Sequence, residues 1–254
     1  MNFDILHFDS LASTNDEALR KARSGAAEGL CVIAAEQTAG RGRHGREWIS
    51  EKDAGLYLSL VLRPKLETCY LSLITLMSGI AVHETLRKLG MRPDIKWVND
   101  IHSGEKKIAG ILAETTDTDR GLAVIVGIGV NLKAIGQIET STSIETEIGQ
   151  SIASNDLADR LLPTIDTFYE ALASADGAAL IIDEWRNRST YYMHKPVTVR
   201  TATSTFEGVT DGLEKNGALR VRRDDGTISV VQAGDVEMLR SVPPAPRDSS
   251  PLPF

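Results

Sequence analysis

Residues 40 to 48 read GRGRHGREW, with three glycines interleaved between Arg41, Arg43 and Arg46 and a closing Trp48. Guanidinium groups carry fork-shaped donors that match carboxylate and phosphate oxygens. Glycine, here including Gly42, permits positive φ and close backbone approach to a ligand. The string predicts a loop that folds over an anion, its far end pinned to the core by Trp48. Taken alone it is equally compatible with a solvated basic loop or an RG-type nucleic-acid contact. Two more segments add chemistry. KWVND, residues 96 to 100, precedes a turn at Ser103 and Gly104 and then KIAGILAET from Lys107. With Ser103 and Gly104 as the central turn residues, Asp100 lies opposite Lys107, a carboxylate beside an ammonium; a longer loop would flip the faces. LAVIVGIGVNL, residues 122 to 132, puts Gly127, Gly129 and Asn131 on one strand face. Two glycines there predict close approach by a ligand or another backbone.

The elements that must position these residues follow from periodicity. Ser13 and Asp16 resemble a capping box, and Ala18, Leu19 and Ala22 recur at helical spacing until Gly25, giving a helix over about 14 to 24. Ser13, Thr14 and Asn15 then sit at a helix N-terminus, where orphan N–H groups and side-chain oxygens can hold a polar ligand. From this segment alone, Ser13 is more simply a cap. Strands are expected at 30 to 36 and 55 to 62, joined by the arginine loop, followed by a long helix over 70 to 89 that ends at Gly90. His83, with no second ligand at i+3 or i+4, is a packed or surface histidine. A hairpin at 94 to 115 and a strand at 122 to 131 extend the sheet into a mixed α/β (α+β) domain. Residues 135 to 152 are polar and form a long loop with a helical end. Helices follow at about 155 to 173, opened by Asn155 or Asp156 and disturbed by Pro163, and at about 177 to 189, carrying Trp185. Beyond Lys195 the period becomes two. PVTVRT, TFEGVTDG, GALRVRR, TISVV and VEMLR, with a tight turn at 224 to 226, make a five-stranded barrel. The expected division is 1–192, 193–241 and a disordered Pro- and Ser-rich tail at 242–254.

Composition narrows the partners. A chain of 254 residues holds one sizeable domain and a small one. A formal net charge of −7 argues against bulk attraction to nucleic acid or an anionic membrane. Arg220, Arg222 and Arg223 adjoin Asp224 and Asp225, which reads as a solvated strand face. The two cysteines, Cys31 and Cys69, lack metal-ligand spacing and are expected as free thiols in a reducing compartment. No apolar run is expected to reach about 18 residues. The opening MNFDILHFDS has no basic n-region followed by a hydrophobic stretch, so the location is expected to be cytoplasmic.

The succession STN, EQTAGRGRHGREW, KWVND, K-IAGIL and GIGVN resembles the catalytic domain of the biotin protein ligases, also called biotin–[acetyl-CoA-carboxylase] ligases. The motifs agree in order and spacing over roughly the first half of the chain, a far more specific signal than a lone glycine motif. Members end in a small SH3-like β-domain, which residues 195 to 240 suit in length and pattern. The resemblance implies a class II aminoacyl-tRNA synthetase-like mixed sheet in the catalytic domain. One position departs from it: Val98 stands where the family motif KWPND has proline, with Lys96, Asn99 and Asp100 kept.

The implied reaction joins biotin to ATP as biotinyl-5′-AMP and passes biotin to a lysine of a biotin carboxyl carrier protein, such as an acetyl-CoA carboxylase subunit. By motif match Ser13, Thr14, Asn15 and Gln37 contact the ureido ring or its surroundings. Arg41, Gly42 and Arg43 close over the valeryl carboxylate and α-phosphate, and Lys107 bridges the same oxygens and stabilises charge in the adenylation transition state, which makes Lys107 and Arg43 the implied catalytic residues. Arg46, Trp48, Asn99 and Asn131 serve the nucleotide, and Asp100 is the carboxylate offered to phosphate-bound Mg²⁺. The family also allows a homodimer. Lipoate ligases and octanoyltransferases would carry a different glycine-rich arginine motif. A biotin-responsive repressor needs a DNA-binding domain ahead of STN, for which the residues before Ser13 leave no room. A catalytically dead biotin binder is opposed by Arg43, Lys107 and Asn131.

Overall fold

The computed structural model describes residues 1–136, 138–201, 203–232 and 235–238. Its main sheet contains β1 (Asp4–Phe8), β2 (Leu30–Ala34), β3 (Gly55–Leu62), β4 (Pro93–Lys96), β5 (Asp100–Ser103), β6 (Lys106–Thr118) and β7 (Gly121–Asn131), in the order β1-β2-β3-β7-β6-β5-β4. Helix α1 (Thr14–Arg23) connects β1 to its parallel neighbour β2, and the remaining pairings are antiparallel. Helices α2 (Leu73–Lys88), α3 (Ile144–Ile148), α4 (Ser154–Leu172) and α5 (Gly177–Arg186) follow. A second, antiparallel sheet holds β8 (Met193–Arg200), β9 (Thr205–Leu213), β10 (Leu219–Arg222), β11 (Ile228–Val231) and β12 (Asp235–Met238), in the order β11-β10-β9-β8-β12.

β3 and β7 read as nearly unbroken apolar runs because both faces of the sheet are covered. On one face Leu56, Leu58, Leu60 and Leu62 join Val124, Val126, Ile128 and Val130 in a core that includes residues of α2 and α4. Each such side chain contributes about 1.5–3 kcal/mol when fully buried. On the other face α1 lays Ala18 and Ala22 against Val61 and Ile125. Beyond the reach of α1 that face carries the small residues Ser59, Gly110, Gly127 and Gly129 beside Tyr57 and Leu112, and a cleft opens there.

The segment Thr68–Lys88 is long and apolar enough to cross a bilayer, against the expectation of no such run. Here it is core. Leu73, Ile74, Leu76, Met77 and Ile80 are fully buried within it. His83 is packed, and burial pushes its pKa down to about 4. Cys31 and Cys69 are free thiols, and burial raises Cys31 to about 12. α4 starts after Ala153, not at Asn155 or Asp156, and runs through Pro163 without a break.

All five C-terminal strands form, but they do not build a separate core. Val197, Val199, Leu213, Leu219 and Val221 belong to the same apolar cluster as α2. Trp97 Nε1 donates to Gly217 O at 2.9 Å and Ser72 Oγ to Asn216 O at 2.6 Å, tying the small sheet to the large one across the boundary expected at residue 192. The 242–254 tail, and Leu239 and Arg240 of VEMLR, lie outside the described residues.

Candidate functional site

Residues 40 to 48 fold back on themselves as a tight hairpin. Arg41 bridges Glu47, Gly42 N donates to Arg46 O at 2.7 Å, and Trp48 N donates to Gly40 O at 2.9 Å. The tip, Arg43–Gly45, is one 3-10 turn, with positive φ at His44 (56°) and Gly45 (72°) but an extended Gly42. The Arg41 guanidinium, expected to close over a ligand carboxylate, is held by two protein carboxylates. Its NH2 lies 2.6 Å from Asp16 Oδ1 and 2.9 Å from Glu114 Oε2, and its NH1 is 3.1 Å from Glu114 Oε1. Burial works against the Arg41 charge, but Glu114 and Asp16 outweigh it and raise the pKa above the ordinary arginine value. Arg43 lines the cleft, with NH1 3.4 Å from Asn99 Oδ1, and Asn99 Nδ2 donates to Ile111 O at 2.8 Å.

The β5–β6 turn lies one residue later than expected. Ser103 pairs with Lys106, His102 with Lys107 and, past a bulge, Asp100 with Gly110. Asp100 is therefore not opposite Lys107, yet the contact forms: Lys107 Nζ is 2.6 Å from Asp100 Oδ1. Asp100 and His102 share a strand face, so Lys107 reaches Asp100 diagonally. Its ammonium also lies 5.2 Å from the centroid of the Trp48 ring, within cation–π range. The Trp97–Val98 peptide bond, at the position where the family motif has proline, is cis.

At the other end, Ser13 caps α1 as expected, accepting from Asp16 N at 3.4 Å, and its side chain also faces the cleft. Thr14 donates through both N (2.8 Å) and Oγ1 (3.0 Å) to Gln37 Oε1, while Gln37 Nε2 donates to Ser50 Oγ at 2.9 Å. The fully buried Ser59 Oγ lies 2.8 Å from Thr14 Oγ1 and 2.6 Å from Asn15 Oδ1, and Asn15 Nδ2 donates to Glu114 Oε2 at 2.7 Å. The bare glycine face is used by side chains. A Cβ on Gly127 would collide with the Asn15 amide, and one on Gly129 would come within 2.5 Å of the Trp48 indole.

One cleft thus gathers Ser13, Thr14, Asn15, Gln37, Arg41, Gly42, Arg43, Arg46, Trp48, Asn99, Asp100 and Lys107. Asn131 is the exception. It does not line the cleft; it is buried, with Nδ2 donating to Thr142 O at 3.0 Å. The loop expected at 135 to 152 explains why. Lys107 N donates to Thr140 O and Thr142 N to Lys107 O, both at 2.9 Å, so this segment lies alongside Lys107 and Asn131 secures it. Sequence reasoning missed Glu114, Ser59, Tyr57, Glu47 and Leu112, and also Val236, which the small sheet contributes to the cleft. The only sequence signal was the two-residue period, which puts Leu112 and Glu114 on the face of Gly110.

Among the described residues no group of three or more His, Cys, Asp or Glu is placed to hold a metal. Asp100 is a single carboxylate facing an ammonium. That fits a Mg²⁺ carried in by a polyphosphate better than a protein-held ion.

A family model for the biotin/lipoate A/B protein ligases matches residues 8–131, and one for the biotin protein ligase C-terminal domain matches residues 195–239. The biotin–[acetyl-CoA-carboxylase] ligase of Paracoccus denitrificans is 34% identical over 236 residues, covering 88% of this chain and 96% of that protein. The bifunctional ligase/repressor BirA of Bacillus subtilis is 30% identical over 246 residues, covering 94% of this chain and 75% of that protein. Among solved structures, the biotin protein ligase from Aquifex aeolicus in complex with biotin and ATP superposes with a TM-score of 0.80 at 25% identity, covering 94% of this chain and 99% of that one.

Proposed function

We propose that this chain, which belongs to the biotin protein ligase family, uses its cleft to join biotin to ATP as biotinyl-5′-AMP and then transfers biotin to a lysine of a carboxylase carrier protein. The observation that carries this reading is the polarity of the cleft, with a buried neutral hydrogen-bonding end at α1 and a cationic end at the hairpin and Lys107. In the first step the biotin carboxylate attacks the α-phosphorus and pyrophosphate leaves. In the second, the carrier amine attacks the acyl carbon, AMP leaves and the amine loses a proton. Neither step needs a covalent protein nucleophile. What the chain supplies is positioning and charge stabilisation.

The polar network of Ser13, Thr14, Asn15, Gln37 and Ser59 suits a ureido ring, which both donates and accepts. Arg43 and Lys107 stabilise negative charge on carboxylate and phosphate oxygens. Gly42 lets the hairpin backbone come close to them. Arg46, Trp48 and Asn99 serve the nucleotide side. Mg²⁺ would enter on the triphosphate and neutralise it, with Asp100 as its protein contact. We read the main sheet as class II synthetase-like and residues 193–241 as SH3-like, and place the enzyme in the cytoplasm, acting on a protein partner without nucleic acid or membrane. Incubation with ATP, Mg²⁺, biotin and a biotin carboxyl carrier domain should add the mass of one biotin to the carrier. Lipoyl transfer in a parallel reaction, or no transfer to any carrier, would overturn this reading.

A further inference from the structure

We infer that Glu114 is a positioning residue of this reaction, anchoring the arginine hairpin to the ring-binding end of the cleft, and that Arg41 acts through Glu114 and not on the ligand. The inference rests on the ligase reading above. Glu114 lies on β6, two residues beyond Leu112 of the cleft wall, with its side chain 26% exposed. Its carboxylate serves two segments distant in sequence. Oε2 accepts from Asn15 Nδ2 at 2.7 Å, and both oxygens accept from Arg41, at 3.1 and 2.9 Å. The second contact is a two-point guanidinium–carboxylate pair, which fixes orientation as well as distance.

The Asn15 contact is directional. Asn15 Oδ1 is committed to Ser59 Oγ at 2.6 Å, so Nδ2 must point at Glu114 and at Leu112 O, 3.3 Å away. Every group facing Glu114 here is a donor, and a carboxylate can accept them all. A carboxamide in its place keeps one acceptor oxygen and sets an N–H₂ against another donor, so either Arg41 NH1 loses its partner or Asn15 Nδ2 and Arg41 NH2 both do. For Arg41, a ligand carboxylate would have to displace Glu114 and compete with Asp16, at 2.6 Å, for the same guanidinium. The charge expected for the ligand is thus engaged in bracing the base of the hairpin whose tip carries Arg43.

The test is a double-mutant cycle with Glu114→Gln, Arg41→Met and the double variant. Each is assayed by single-turnover adenylate formation, by adenylate release and by hydrogen exchange of the unliganded chain. Each single change should raise the biotin KM and the release rate about tenfold, with a smaller change in the adenylation rate at saturating substrates. The double variant should fall within about twofold of the worse single, because both remove one anchor. Amides of Gly42 and Trp48, bonded within the hairpin, should exchange faster in all three variants. If Arg41→Met is an order of magnitude worse than Glu114→Gln and the losses multiply, Arg41 contacts the ligand and the inference is overturned. Unchanged exchange in Glu114→Gln overturns it as well. A wild-type chain that forms no adenylate defeats the ligase reading, while the exchange cycle still decides whether Glu114 anchors the hairpin.

Discussion

At the α1 end of the cleft Ser13, Thr14 and Asn15 are only 3–4% exposed and are held by Asp16 N, Gln37, Ser59 and Glu114. At the hairpin end Arg41, Arg46 and Glu47 are exposed, and Lys107 rests on Asp100. The difference reflects what each end has to recognise. A neutral ring is distinguished by buried donors and acceptors whose orientation is set beforehand, because a ligand that leaves one unpaired forfeits its desolvation energy. An anion is recognised by charge. Here the Lys107 charge is kept compensated by Asp100, a protein carboxylate that an incoming carboxylate or phosphate must replace.

The largest effect expected from this contrast is at Lys107. Lys107→Ala should slow adenylation by about 10²-fold or more, the scale of one lost preorganised charge stabiliser, while biotin affinity changes far less. Equal losses in rate and affinity, seen in single-turnover and equilibrium titration, would erase the division of labour between the ends. Next come the floor glycines. Gly127→Ala drives a methyl group into the Asn15 amide and should weaken biotin binding about tenfold, whereas Gly129→Ala displaces Trp48 and should weaken ATP binding by a similar factor; forced overpacking of this kind costs about 1–3 kcal/mol. Isothermal titration of each variant with each ligand checks the crossover, and identical profiles would count against two separable ends.

Ser59→Ala strips a fully buried partner from Thr14 and Asn15, an unsatisfied-group cost of about 1–3 kcal/mol. Biotin binding should therefore weaken by about tenfold with saturated adenylation little altered. The smallest effect is ionic. Raising salt from about 0.05 to 0.5 M shortens the screening length severalfold and should weaken ATP binding by about two- to threefold while leaving biotin affinity nearly constant. Titrations at both salt concentrations test this, and a biotin affinity as salt-dependent as that of ATP would count against the contrast between the two ends.

Much of this site was legible along the chain. Glycine–arginine alternation marked the hairpin, Ser13 and Asp16 marked the start of α1, and the two-residue period put Gly127 and Gly129 on one face. What eluded the sequence was partnership across distance. Glu114 looks like an ordinary solvent-facing strand residue until the fold brings it to Asn15 and Arg41, separated from it by 99 and 73 positions. Ser59 reads as an interruption in an apolar strand. Asn131 was expected at the nucleotide by its match to the family motif GIGVN, but the segment around Thr142 takes its amide instead.

By itself the sequence determined the elements, because capping, periodicity and turn chemistry act over a few residues, and the succession of its motifs carried the resemblance to the family. Only the tertiary structure decided the partners. The β5–β6 bulge set how Lys107 meets Asp100, since one displaced residue changes which side chains face each other and no local propensity records it. Folding also decided that the small sheet shares the large core and lends Val236 to the cleft. Apolar burial is non-directional, and it joins whichever surfaces the chain can bring together.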